Sequence, residues 1–194
     1  MKKLIFLFIM LLTASNAINA QDKKPERMRP ALVVIDIQNQ FLPMMDEREK
    51  DIALYAINVY IDLFRKNGFP VVRVYHSSKE DGPFPGTPEF EFPETVTILP
   101  DDPKVVKTYG NGFNKTDLEK VLREKKVNTL FLCGLSSVGC VLATYMGAND
   151  LDFRSFLLKD AIMSHNADYT DNIEDIFDAI GWDVVNALLE NAEK

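Results

Sequence analysis

Residues 31–37 read ALVVIDI, an apolar, β-branched run broken only by Asp36 near its end. A run with no polar face predicts a strand buried on both sides of a sheet. PVVRVYH (70–76), NTLFLCG (128–134) and residues 153–159 repeat that pattern, and shorter strands are predicted over 105–108 and 183–185. Between these runs the apolar positions change to helical spacing. Ile52, Tyr55, Val59, Tyr60, Leu63 and Phe64 predict a helix over 46–66, stopped by Asn67-Gly68. Further helices are predicted over 116–126, 140–149 and 170–180, the last closed by Gly181, with a brief helix after the final strand. Thr116, followed three residues later by Glu119, predicts a capping box for the first of these.

Strands alternating with helices imply βαβ units, a parallel sheet and helices on both of its faces. No repeat, low-complexity tract or second domain boundary is visible, so residues 21–194 read as one domain. The exception to the rhythm is Ser77–Pro103, rich in Pro, Gly and acids. A loop of that length in a compact domain points to function or disorder.

The N-terminus has a different character. Lys2 and Lys3 precede an apolar run from Leu4 to Leu12, and small or polar residues follow to Ala20. That order describes a secretory signal over 1–20, with cleavage expected after Ala20 and Ala17 as the second candidate. The run is shorter than the about 20 apolar residues a spanning helix needs. The chain is therefore expected to be exported, periplasmic or secreted, and off the membrane after cleavage. Cleavage removes two lysines and no acid, which makes an already negative formal charge of −7 more so. Such a surface repels phosphate backbones and anionic lipid heads, which argues against a nucleic-acid partner.

In open parallel sheets the chemistry gathers beyond the carboxyl ends of the strands. Three residues there carry reactive groups. Asp36 interrupts an apolar strand, and a buried carboxylate needs a partner. Lys107 ends a short strand ahead of the turn Tyr109-Gly110-Asn111-Gly112, and a lysine brought near Asp36 would offset its burial. Cys140 follows the turn 134–139 and is predicted to open a helix, where the dipole and free N–H groups favour a thiolate and can hold an oxyanion. Cys133 falls inside a strand, so the two thiols need not converge, although an oxidising compartment permits a disulfide.

The segment from Gly134 to Val141 resembles the G-x-x-T-x-x-C-V signature of the isochorismatase-like cysteine hydrolases, with Ser137 in place of its Thr. LVVIDIQNQF (32–41) resembles the D-x-Q-x-x-F strand end of that family, and VVKTYGNGFNKTDL (105–118) its K-x-x-x-x-F-x-x-T-x-L segment. The three occur in the family's order across about Pro30 to Val185. The resemblance implies a three-layer α/β/α doubly wound domain of about six parallel strands. It implies Asp36 as general base, Lys107 as its electrostatic partner and Cys140 as nucleophile. It further implies an oxyanion hole from the Ser136 and Cys140 backbone N–H groups, a cis Leu135–Ser136 bond, and a homo-oligomer.

Three functions remain open at this stage. The first is hydrolysis of a small amide-like bond through a thioester on Cys140. The second is acid-catalysed cleavage of a vinyl ether, which needs no thiol. The third is a binding protein that keeps the fold without turnover. The presence of Cys140 favours the first. No cofactor or metal is expected: the nicotinamidases of the family carry an Asp/His/His set, whereas this chain has only His76 and His165 and lacks the D-x-H spacing. Gln40 stands where those enzymes have Asp. Phe41, His76 and Tyr109 are candidate substrate-pocket residues, and Phe113 is expected in the core. Phe84, Phe90 and Phe92 are candidates for a lid. Asn114-Lys115-Thr116 matches a glycosylation sequon that a helix cap explains better.

Overall fold

The computed structural model describes residues 26–194, so the expected signal and both of its cleavage positions lie outside the described residues. Strands β1 (Pro30–Ile35), β2 (Val71–His76), β3 (Lys104–Lys107), β4 (Thr129–Leu135) and β5 (Arg154–Met163) form one sheet in the order β3-β2-β1-β4-β5. Every neighbouring pair is parallel. Helices α1 (Glu47–Lys66), α2 (Leu118–Glu124), α3 (Leu142–Asp150), α4 (Ala167–Ile176) and α5 (Trp182–Glu190) cover both faces.

The pleat of β1 sorts the core into two layers. Leu32 and Val34 face α1 and α5, packing with Ile57, Ile61, Phe64, Val185 and Leu189. Ala31, Val33 and Ile35 face the other way, with Leu118 and Leu122 of α2, Ala148 of α3 and Ile173 of α4. Helix α1 shows why such a face forms: Ala53, Ile57, Tyr60, Ile61 and Phe64 recur at helical spacing and are buried. Asp46 caps it, its side chain accepting from the Glu49 N–H at 3.1 Å.

Four expectations change. The sheet has five strands, not six. Leu158 makes a single parallel bridge to Ile180, and the segment expected as a last strand over 183–185 lies within α5. Val185, Leu188 and Leu189 fall at helical spacing against the core, and that burial outweighs the β-branched Val184-Val185 pair. The capping box at Thr116 is also not formed. Thr116 Oγ1 instead donates to the Gly112 carbonyl at 2.5 Å and accepts from the Leu118 N–H at 3.2 Å, tying down the Gly turn. Phe90 and Phe92 are not a lid. Both are buried and stack on Tyr75, with ring centroids 5.1 and 4.2 Å away, so they pin the long loop to the sheet. Phe113 is only half-buried, stacked on Phe153 at 5.8 Å at the edge of the second layer.

The strand order reverses between β1 and β4, and a crevice opens there beyond the strand ends. Gly134 sets its width. A Cβ at this position would lie 2.0 Å from the Ile35 carbonyl oxygen, and the residue sits at φ +119°. Gly134→Ala is therefore expected to cost about 3 kcal/mol or more of unfolding free energy, measured by urea denaturation. An unchanged midpoint would contradict the close approach of the two strand ends.

Candidate active site

Strand register delivers the site residues to one edge. Ile35 pairs with Val74 on one side and with Gly134 on the other, while His76 pairs with Lys107. Asp36 follows directly, turned out of the strand at φ 54°, a left-handed conformation that Asp tolerates better than most residues. Its N–H still donates to the Val74 carbonyl at 2.9 Å. Gln38, two residues on, is fully buried and acts as a clamp. Its Nε2 donates to the carbonyls of His76 (3.0 Å) and Phe90 (2.8 Å), and its Oε1 accepts from the His76 N–H at 2.7 Å. One side chain thus joins the ends of β1 and β2 to the long loop.

Lys107 and Asp36 are each 1% exposed, and the Lys107 Nζ lies 2.6 Å from Asp36 Oδ2. The same ammonium donates to Cys140 Sγ at 3.2 Å and sits 3.4 Å from His76 Nδ1. Its three N–H groups therefore face three neighbours. Asp36 Oδ1, the other carboxylate oxygen, is buried and takes no hydrogen bond among the described residues.

Cys140 does not open a regular helix. It lies in a π-type turn over Ser137–Val141, kinked at Gly139, and α3 begins at Leu142. The Leu135–Ser136 bond before this turn is cis. The buried Ser137 hydroxyl is 3.3 Å from Thr170 Oγ1, which donates to Ser164 Oγ at 3.1 Å, so the turn is moored to α4. Both cysteines are free thiols, and Cys133 Sγ lies 3.7 Å from the Val33 carbonyl oxygen.

Burial governs the titration of the group. It drives the Asp36 carboxyl above the ordinary carboxylate range against the pull of Lys107. It pushes the Cys140 thiol up to about 11, with the Asp36 charge adding to the rise and Lys107 opposing it. The expected thiolate is therefore not the resting form. Desolvation of the half-buried sulfur outweighs the pull of Lys107. Burial, and then Lys107, lower the His76 imidazole.

A cavity of about 490 Å³ opens over these groups. Phe41, His76, Ser136 and Cys140 line it, as do Met44, Met45 and Asp81. Tyr109 is absent from its lining and 43% exposed, its hydroxyl taking a bond from Lys115 Nζ at 3.1 Å; Thr108 takes its place on the wall. Sequence reading gave no role to Gln38, Asp81 or the two methionines. Its place as the Gln of the D-x-Q-x-x-F segment was the signal for Gln38; nothing local marked the others. Among the described residues no three His, Cys, Asp or Glu side chains cluster as a metal group, so the side chains present do not fit the Asp/His/His set.

Removing the ammonium isolates a buried carboxyl. Lys107→Met is expected to cost about 3–5 kcal/mol at neutral pH. Asp36 has a folded-state pKa above its unfolded value, so its contribution is full below the unfolded carboxylate range and is lost as pH rises through the folded value. The deficit should thus shrink as pH falls toward about 4. Denaturant titrations of both proteins across that range measure it, and a pH-independent deficit would contradict the pairing.

Comparison with known proteins places the chain in a family. The isochorismatase domain family matches residues 30–185. The isochorismatase family protein YddQ of Bacillus subtilis is 31% identical over 151 residues, 75% of this chain and 84% of that protein. The crystal structure of N-carbamoylsarcosine amidase from Thermoplasma acidophilum superposes with a TM-score of 0.69 at 27% identity, covering 79% of this chain and 95% of the other. The pyrazinamidase of Pyrococcus horikoshii, solved in complex with zinc, gives 0.68 at 27% identity, covering 79% and 99%. The extent of the match, spanning β1 through the start of α5 and every residue of the Asp36, Lys107 and Cys140 group, shows that this chain belongs to the isochorismatase family of hydrolases.

Proposed function

We propose that the protein is a cysteine hydrolase that cleaves a small amide-like C–N bond through a thioester on Cys140. The observation that carries this reading is the Lys107 ammonium held between Asp36 Oδ2 at 2.6 Å and Cys140 Sγ at 3.2 Å. Similarity to two proteins named as amidases supports the choice of a C–N bond.

The resting site is a neutral thiol beside a carboxylate whose proton affinity is raised. Burial raises the proton affinity of the carboxylate and so strengthens it as a base toward the thiol. Asp36 takes the thiol proton as Cys140 Sγ bonds to the substrate carbonyl carbon, and the carbonyl electron pair moves to oxygen. The Ser136 and Cys140 backbone N–H groups serve as donors to that oxyanion, a kind of contact typically worth about 2.7–4 kcal/mol per donor. The C–N bond then breaks, and protonated Asp36 gives its proton to the leaving amine. Asp36 next deprotonates a water that attacks the thioester. The C–S bond breaks, and the proton returns from Asp36 to sulfur. Lys107 balances the charge that develops on sulfur and keeps Asp36 available as a base. The N-terminal sequence supports action outside the cytoplasm.

Two measurements test the chemistry. Cys140→Ala is expected to remove nearly all amide turnover while the unfolding midpoint stays within a few degrees; retained amide turnover would contradict a thioester on Cys140. The second is peptide-resolved alkylation by iodoacetamide. With the thiol at about 11, labelling of Cys140 should be slow at neutral pH and rise about tenfold per pH unit beyond the point where an ordinary thiol levels off, near pH 8.5. A plateau below pH 7 would show a preformed thiolate and contradict the proposed proton transfer.

A further inference from the structure

We propose that the cavity selects small amides that are uncharged or cationic and turns away those carrying a carboxylate, with Asp81 as the specificity-determining residue at its rim. This rests on the amidase reading above and adds the substrate's charge class to it.

Phe41, Met44, Met45 and Leu135 give the cavity an apolar wall. Its ionisable lining groups are Asp36, His76, Asp81 and Cys140, and among the described residues no Lys or Arg side chain belongs to the lining. The nearest ammonium, Lys107, is buried beneath, with its N–H groups turned to Asp36 Oδ2, Cys140 Sγ and His76 Nδ1. It has no donor left for a substrate anion.

His76 is then the one group that could become a cation, and its position opposes this. Nδ1 faces the ammonium at 3.4 Å, so it acts as acceptor, and the ring proton resides on Nε2. A second proton at Nδ1 would set N–H against N–H beside a full positive charge. Burial and Lys107 hold the imidazole's pKa below its ordinary value, so it stays neutral at neutral pH. His76 therefore offers the cavity an N–H donor without a charge.

Asp81 supplies the remaining charge. Its turn is fixed: the Asp81 N–H donates to Ser78 Oγ at 3.3 Å, and its carbonyl accepts from Gln40 Nε2 at 3.2 Å. The carboxylate is exposed and forms no ion pair among the described residues. With Asp36 balanced by Lys107, the lining presents one net negative charge. A substrate carboxylate would lose its water there, meet no cation and face Asp81. A substrate ammonium would meet Asp81 instead.

The test uses the full chain and three amides of matched length, namely butyramide, succinamate and 4-aminobutyramide. Hydrolysis is followed by ammonia release. Binding of each to Cys140→Ala is followed by ligand-observed NMR, which ranks the charges without turnover. Butyramide and 4-aminobutyramide are expected to exceed succinamate by at least about tenfold in kcat/KM, and Asp81→Lys should shift the ratio of succinamate to 4-aminobutyramide upward by about tenfold. Asp81→Asn should move it the same way by a smaller factor. Equal or preferred handling of succinamate would overturn the proposal, as would a ratio indifferent to Asp81→Lys. If none of the three is hydrolysed, the amidase reading fails by itself, and the binding order on Cys140→Ala still decides the charge class. Failure of all three to bind overturns the proposal.

Discussion

A carboxylate and an ammonium that have both left water must satisfy each other, and here Asp36 and Lys107 do so at 2.6 Å. Neither is tolerable alone at this depth. Their pairing requires that the ends of β1 and β3 be held in register across β2, which lies between them. The Gln38 clamp on β2 and the long loop follows from that need, as does the stacking of Phe90 and Phe92 on Tyr75. The loop is a support for the site: Phe90 and Phe92 pack on the sheet, Phe84 stays exposed, and the turn at Ser78–Gly82 is left to shape the rim.

The pair also sets the chemistry of the third group. Cys140 arrives from the opposite side of the reversal in strand order, on a turn moored through Ser137 to Thr170. Its sulfur is kept protonated by burial and by the Asp36 charge, although Lys107 pulls the other way. In this account the site stores no thiolate. It holds an acceptor beside a thiol, and in the mechanism proposed above the proton moves as a carbonyl carbon takes the sulfur's electron pair. A thiol held protonated is also less open to oxidation than a standing thiolate.

Much of this was legible in the chain. An Asp inside ALVVIDI, a Lys at the end of a short strand and a Cys after a small-residue turn each mark a strand end, and parallel topology brings strand ends together. Other features depend on three-dimensional context that local patterns do not carry. Burial of Cys140 decides the direction of its proton affinity, and helix-end rules alone pointed the other way. Val184 and Val185 read as strand until the core contacts of Val185 and Leu189 are known. Tyr109 sits beside Lys107 in sequence yet turns to Lys115 on the surface. Asp81 is one acid among many in a polar loop until the cavity it borders is seen.

The central claim is that Asp36 and Lys107 exist to make Cys140 an acyl carrier. The most direct measurement is the mass of the protein quenched in acid during steady hydrolysis of a small amide, followed by peptide mapping. The account predicts a species heavier by the acyl fragment, located on the peptide containing Cys140 and missing in Asp36→Asn. Steady turnover with no adduct at Cys140, or an adduct on another side chain, would contradict it.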